Sequence, residues 1–338
     1  MKTSKFLSRR TASCQDAGHS PSLSPRHIPN ICFIFHIHRS AIETRWYRPN
    51  LRYKRCQSQS IMKTLIFAGA LASTIIAAPF AQGEPECSRE ALIEAADAYV
   101  AAQAAGSLES LVDLLAEEWI YWEDNEEIDP STAVLSTKAL KIDNRRTIAD
   151  VVECASYTEI IAADPSNPYV IGTQIRHGAD FKITKIDTVA STTNSWVFDA
   201  KKTLDYVVKE DWFEIPEADR DDRNIIKAAG DAYLDIWSNA TAADAVPWGT
   251  PCTRLEGSAY TGRGTPQDSC AVGLPSNHNQ APNSNRRYVV DEVMGSVNIL
   301  CVWEHMMNAA DSHEFRLEKG KLRYVHTMTV CGGQVCRL

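Results

Sequence analysis

The sequence predicts an α+β protein made of two tandem copies of one unit, each with N-terminal helices packed on a curved antiparallel sheet. Three observations carry this reading. "ALIEAADAYVAAQAAGSLESLVDLL", from Ala91, and "IIKAAGDAYLDIWSNATAADAV", from Ile225, align so that Asp97-Ala98-Tyr99 falls on Asp231-Ala232-Tyr233. Each copy closes on a strand pattern, "FKITKIDTV" from Phe181 and "GKLRYVHTMTV" from Gly320. Between helix and closing strand lie the β-rich runs "PYVIGTQIR" and "RRYVVDEVMGSVNILCVW". Self-similarity at a fixed offset marks a repeated structural unit, and helices followed by a run of strands mark an α+β arrangement.

Residues 1–61 stand apart from the rest. They hold eleven Lys/Arg against two Asp/Glu, a net charge of +9 in a chain whose total is −8, so residues 62–338 carry −17. Apart from the short apolar patch Ile31–Ile37, nothing in this stretch repeats with a helix or strand period. It lacks the apolar content to offset chain entropy. A basic arm and an Arg-rich transit peptide are two readings of it. The preferred one is an extension upstream of the true start at Met62, because "MKTLIFAGALASTIIAAPFAQG" (residues 62–83) has the layout of a secretory signal peptide. Its apolar run, Leu65 to Ala78, is too short for the ~20 residues of a membrane-spanning helix.

The first unit is expected over residues 84–208. Leu92, Ala95, Ala96 and Tyr99 recur at helical spacing, and Ser88 is placed to cap the helix. The acidic and aromatic stretch "EEWIYWEDNEEID" (Glu117–Asp129) reads as a strand and turn, with Trp119, Tyr121 and Glu123 on one face. Its acidic spacing does not match a calcium loop. His177, beside Gly178, reads as turn-exposed, and Asp187 falls either in the first unit's cavity or at the solvent beside Lys185. "KEDWFEIPEADRDD" (Lys209–Asp222) is charged, aperiodic and Pro-bearing, and reads as the linker to a second unit at 223–338, whose helix Asp222 can cap.

Seven cysteines follow the signal, with no CxxC pair. In an exported chain they read as staples. The expected bridges are Cys87–Cys154, Cys252–Cys270 and Cys331–Cys336, leaving Cys301 as a small buried hydrophobe in "SVNILCVW". The sequon Asn239-Ala-Thr241 requires a surface position.

The order of elements and the closing "GKLRYVHT" resemble the cone-shaped nuclear transport factor 2-like fold, the group that includes SnoaL-like polyketide cyclases and small isomerases and dehydratases. "LKIDNRRTIADVVECASYTE", "YVIGTQIR", "VPWGTPCTRLEGSAYTGRG", "NRRYVVDE" and "DSHEFRLEKGKLRYVHTMTVC" are similar to a family of secreted fungal proteins that contains a domain of unknown function and is built from two such units. The resemblance covers nearly all of residues 87–331 and implies a fold rather than an activity, since this fold hosts enzymes, binding modules and scaffolds alike.

Several chemistries are excluded or disfavoured. There is no GxSxG elbow, Walker-type phosphate loop, GxGxxG after a strand or HExxH. The acidic balance after the signal argues against nucleic acid, and no cofactor or metal is implied. What remains is polar residues on apolar strand faces. Alternation along "GKLRYVHTMTV" places His326 with Leu322, Tyr324, Met328 and Val330. His313 shares a face with Phe315 and Leu317, with Glu314, Arg316 and Glu318 facing out. Asp291 shares a face with Val289, Val293 and Val297. Imidazoles and a carboxylate in a half-dry cavity suit proton transfer. The expectation is therefore a hydrophobic small-molecule pocket in which His326 moves a proton and Asp291 sets its tautomer. Arg254 or Tyr260 would steady oxyanion charge, with His313 and Glu256 nearby. The competing readings are a core histidine at either position, Asp291 paired with Arg254 or Arg287, an Arg254–Glu256 surface pair, and a secreted binding protein without turnover.

Overall fold

The computed structural model describes residues 87–274, 277–332 and 334–336. The expected upstream extension (1–61) and expected signal peptide (62–83) lie outside the described residues. In the first repeat, helix α1 (Arg89–Ala105) is followed by β1 (Leu115–Glu123), β2 (Glu126–Glu127), a single helical turn α2 (Val134–Thr137), β3 (Asn144–Asp150), β4 (Ala155–Ala162), β5 (Tyr169–His177) and β6 (Ile183–Ser191). Helix α3 (Ala200–Val207) leads into the linker. The second repeat runs α4 (Arg223–Asp235), the turn α5 (Ala242–Ala245), β7 (Trp248–Glu256), β8 (Ala259–Tyr260), β9 (Ser284–Asp291), β10 (Ser296–Trp303), β11 (Ala309–Glu318) and β12 (Lys321–Val330).

Both repeats give a six-stranded sheet of the same order, β2-β1-β6-β5-β4-β3 and β8-β7-β12-β11-β10-β9. The sheets are mixed, which corrects the expectation of antiparallel pairing throughout: β1 runs parallel to β6, and β7 parallel to β12. Hairpin neighbours are forced antiparallel by their short turns. The first strand of each repeat meets the last across a long connection and is free of that constraint.

The expected caps are in place. Ser88 Oγ accepts from Ala91 N at 3.2 Å, and Asp222 Oδ1 accepts from Asn224 N at 2.8 Å. Tyr99 and Tyr233 are fully buried at equivalent points of the two helices. Side chains from α4 share one core with Val297, Ile299, Phe315 and Val325; Tyr99 and Ala102 share another with Ile160, Ile171 and Ile186.

The opposite faces of the two sheets meet each other. Ile161, Val170 and Val189 of the first repeat pack with Leu255, Leu300, Met328 and Val330 of the second. The central strands are therefore covered on both faces, and β4 and β11 read as continuous buried runs. This overturns the expectation that Glu314 and Arg316 face out, since both are buried against the first repeat or the linker. The contact is reciprocal. Arg223 pairs with Asp150 at 2.6 Å, and Asp150 Oδ2 also accepts from Val290 N at 2.9 Å. In mirror fashion Arg89 pairs with Asp291, whose Oδ2 accepts from Ala149 N at 2.8 Å. Each arginine is the first residue of its repeat's helix, and each aspartate is the last of β3 or β9.

The bridges are Cys87–Cys154, Cys252–Cys270 and Cys331–Cys336, and Cys301 is a buried free thiol. Asn239 is exposed. His177 is half-buried and stacked on Phe181 at 4.4 Å instead of turned to solvent. No helix among the described residues is long and apolar enough to cross a membrane.

Candidate functional site

The structure separates the residues that the sequence grouped. His326 lies on the face of β12 that meets the first repeat, not on the face that lines the second repeat's cavity. Alternation holds from Tyr324 to Val330, but a register shift at Arg316/Leu317 against β12 places Leu322 on the other side, in the helix-facing core. Asp291 is likewise remote from the cavity. A turn reverses the chain over 292–295, with Gly295 at φ +58°, so Asp291 and Val297 belong to different strands of a hairpin. Its partner is Arg89, which neither alternative considered in the sequence named.

His326 sits instead in a buried ionic cluster. Its Nδ1 is 3.0 Å from Glu159 Oε2, and its Nε2 is 2.6 Å from Glu210 Oε2. Arg146 reaches Glu314 at 2.6 Å and Glu159 at 3.2 Å, and its guanidinium lies 3.6 Å over the Trp212 ring. Glu210 and Trp212 come from the linker, whose chain thus enters the seam between the sheets. Burial alone would favour a neutral ring, but Glu210 and Glu159 outweigh it and raise the His326 pKa to about 10. Burial opposes ionisation of Glu159 too, yet Arg146 and His326 prevail and hold it to about 2. A histidine fixed as imidazolium between two carboxylates is a structural cation.

The second repeat's cavity is built by the other face of the same strands. It encloses about 180 Å³ and is lined by His313, Arg254, Glu256, Thr327 and the indoles of Trp196, Trp237 and Trp303. Trp196 comes from the segment after β6, so the first repeat supplies part of the wall. His313 is 1 % exposed. Its Nδ1 lies 2.5 Å from Asp311 Oδ2, and Asp311 Oδ1 accepts from Thr329 Oγ1 at 2.7 Å. The carboxylate thereby selects the tautomer with the proton on Nδ1 and leaves Nε2 as the ring's acceptor nitrogen. Trp303 and Phe315 each stack near the imidazole, with centroids at 5.6 Å.

Across from this dyad, Arg254 Nη1 is 3.1 Å from Glu256 Oε1 and donates to Tyr233 Oη at 3.2 Å, while Nη2 donates to the Val272 carbonyl at 2.8 Å. Burial pushes the Tyr233 phenol well above its ordinary range, so it stays protonated. Arg254 and His313 are thus brought to one cavity as the sequence suggested, whereas Tyr260 is on the far side, stacked on Tyr206 at 4.3 Å.

Strand register shows what the first repeat has at the same points. His313 corresponds to Thr173, Asp311 to Ile171, Thr329 to Ala190, Arg254 to Tyr121 and Glu256 to Glu123. There Thr173 bonds to Tyr99 Oη at 2.7 Å and to Thr188 at 3.0 Å. The dyad and the arginine are confined to the second repeat. Asp311 was missed in the sequence, although its i, i+2 spacing from His313 on one strand placed both on one face. The reciprocal seam had a signal as well: "NRRTIAD" and "NRRYVVD" are the same motif in β3 and β9.

Residues 219–329 match a domain of unknown function (DUF8021). That span contains the second repeat from just before α4 to the last residue but one of β12, and with it His313, Asp311, Thr329, Arg254 and Glu256. No curated protein matches the chain.

Proposed function

We propose that the cavity of the second repeat binds a small, largely apolar molecule and moves a proton on it, as a cofactor-free isomerase, lyase or cyclase of a secreted protein. One observation carries this: the Asp311–His313 dyad and Arg254 occur in one repeat only, at positions that the other repeat fills with core or hydroxyl side chains. Duplicated packing needs no such difference; chemistry does. In this reading Nε2 of His313 takes the proton and Asp311 stabilises the imidazolium that forms. Arg254, with the Tyr233 phenol beside it, faces charge developing on a substrate oxygen. At ~30 Å³ per water, 180 Å³ holds about six waters, the room of roughly one ring system.

The reading of each repeat as a nuclear transport factor 2-like cone, and of the chain as one of a secreted fungal family, is also our own. The repeated strand order and the match over residues 219–329 support it. Three disulfides fit an oxidising compartment, and the signal-like residues 62–83 support export.

The second reading is ligand binding without turnover, favoured by a cavity smaller than the ~300 Å³ at which drug-sized pockets begin. The test is His313→Asn, which keeps a donor toward Asp311 where Nδ1 was and removes the base. Strains secreting the wild type and the variant are compared by untargeted mass spectrometry. The enzyme reading expects a product, isomeric with or one water lighter than its precursor, to fall by roughly 10²–10⁴-fold in formation rate with the variant. Equal product from both would overturn it. A ligand retained by both, with no product from either, establishes the binding reading.

A further inference from the structure

A larger open groove of about 540 Å³ lies between α3, the β7–β8 hairpin and the outer side of β12, away from the dyad. Its volume falls in the ~300–1,000 Å³ range of small-molecule sites. Two carboxylates and three cations line it: Glu210 and Asp268, with Lys209, Arg263 and Arg323.

The carboxylates are spent inside the protein. The Glu210 side chain is 1 % exposed, and its Oε2 serves His326 at 2.6 Å and the Trp212 indole at 2.9 Å. Asp268 is buried as well. Its Oδ2 accepts from the backbone N–H groups of Arg263, Gly264 and Thr265, and its Oδ1 from the Thr265 hydroxyl at 2.7 Å. The cations are not spent. Lys209 and Arg263 are exposed and Arg323 is half-buried. Among the described residues none of the three is ion-paired, whereas Arg254, Arg316 and Lys319 of the same repeat all are. Lys209 and Arg323 rest instead against the rings of Tyr206 and Tyr324, at 5.3 and 4.2 Å, which leaves their charge uncompensated. The charge that a molecule in the groove meets is therefore positive.

Solvated cations are ordinary on a surface; the loop that carries Arg263 is not. Asp268 ties three successive N–H groups of that loop, Cys252 N donates to the Asp268 carbonyl at 2.8 Å, and the Cys252–Cys270 bridge closes its base. Gly262 lets it lie flat, since a Cβ there would collide with Thr253 and stand 2.6 Å from the Tyr260 ring. The backbone of Arg263 is thus fixed at the groove, and less freedom is lost when a ligand arrives. Residues 62–338 carry −17, but at ~0.15 M ionic strength charges beyond about 8 Å are largely screened. The three lining cations then decide what enters.

We infer that this groove is a second ligand site, for a compact anion with two or more charges on carboxylate or phosphate groups. It is separate from the cavity of the proposed reaction, and its occupancy stands or falls independently of that reaction.

The test is calorimetric titration of the full secreted chain at neutral pH and ~0.15 M ionic strength, with citrate and inorganic pyrophosphate as separate arms. Acetate and glucose are the monovalent and neutral references. The expected result is saturable binding of citrate, pyrophosphate or both with a dissociation constant of about 1 mM or tighter, and acetate at least ~10-fold weaker. The arm that binds tells carboxylate from phosphate. Arg263→Gln and Arg323→Gln should each weaken binding by about 3- to 10-fold, and the double variant by more than ~10-fold. The His313→Asn variant should bind as wild type does, because the dyad lies in the other cavity. Arg263 is exposed and its side chain has no hydrogen bond among the described residues, so its variant should keep the wild-type melting temperature. Should Arg323→Gln fail to fold, Arg263→Gln and Lys209→Gln decide. Binding of neither polyanion, binding unchanged in the folded variants, or acetate or glucose bound as tightly as the polyanions would each overturn the proposal.

Discussion

His326→Gln separates a structural cation from a proton-transfer group. In the wild type the buried cluster sets Arg146 and His326 against Glu159, Glu210 and Glu314, a formal charge of −1 in the sheet–sheet seam. The substitution makes it −2. Glutamine can still donate toward Glu210 from the Nε2 position but abandons Glu159, which is 2 % exposed. Breaking a buried pair from one side costs about 3–5 kcal/mol. For a folded unit of this size that lowers the melting temperature by about 6–20 °C, at ~2–4 °C per kcal/mol. The pH dependence adds a second signature. His326 is raised from 6.5 to about 10, so its contribution is complete below pH 6.5 and is lost as the pH climbs toward 10. Glu159 is lowered from 4.5 to about 2, so its contribution is present above pH 4.5 and is lost as the pH falls toward 2. Wild-type stability should therefore peak between pH 4.5 and 6.5, and the variant should lose the alkaline slope. Calorimetric melting from pH 4 to 10 reads both effects. A variant that melts within ~2 °C of wild type at pH 6, with an unchanged alkaline slope, would refute the assignment of His326 to the seam.

The reciprocal latches should behave alike. Arg89→Met leaves Asp291 buried and unpaired, Arg223→Met does the same to Asp150, and each is expected to cost about 3–5 kcal/mol in urea unfolding. A cost below ~1 kcal/mol for either would show that its backbone N–H donors alone satisfy the carboxylate. Burial, with Asp311 beside it, pushes the Cys301 thiol well up. A chain lacking residues 1–83 should therefore show no thiol reactive to a disulfide reagent when folded and one per molecule in denaturant, and a reactive thiol in the native state would contradict the buried position.

The local periods of the chain were enough for much of this protein. The 3.6-residue spacing of Leu92, Ala95, Ala96 and Tyr99, with Ser88 before it, defines α1, and the aligned Asp-Ala-Tyr defines α4, because helix formation and capping are decided within one or two turns. The expected bridges and the free Cys301 are those of the structure, although sequence alone does not fix the connectivity of seven cysteines. Alternation also placed His313, Phe315 and Leu317 together on one face. Alternation, however, divides a strand into two faces without saying what covers each. In most half-exposed sheets the polar face is wet; here both faces are dry, because the second sheet lies where water was expected. Tertiary structure alone therefore decided that Glu314 and Arg316 are buried, that His326 is an ion-paired cation of the seam, and that Asp311 and His313 form the dyad. It also decided that Trp212, on a stretch with no periodicity, fills the space beneath Arg146. Those outcomes depend on contacts between residues more than a hundred positions apart, such as Arg89 with Asp291 and Arg146 with Glu314. No local period encodes them, because each is fixed only when two separately formed sheets meet and their buried charges must find partners.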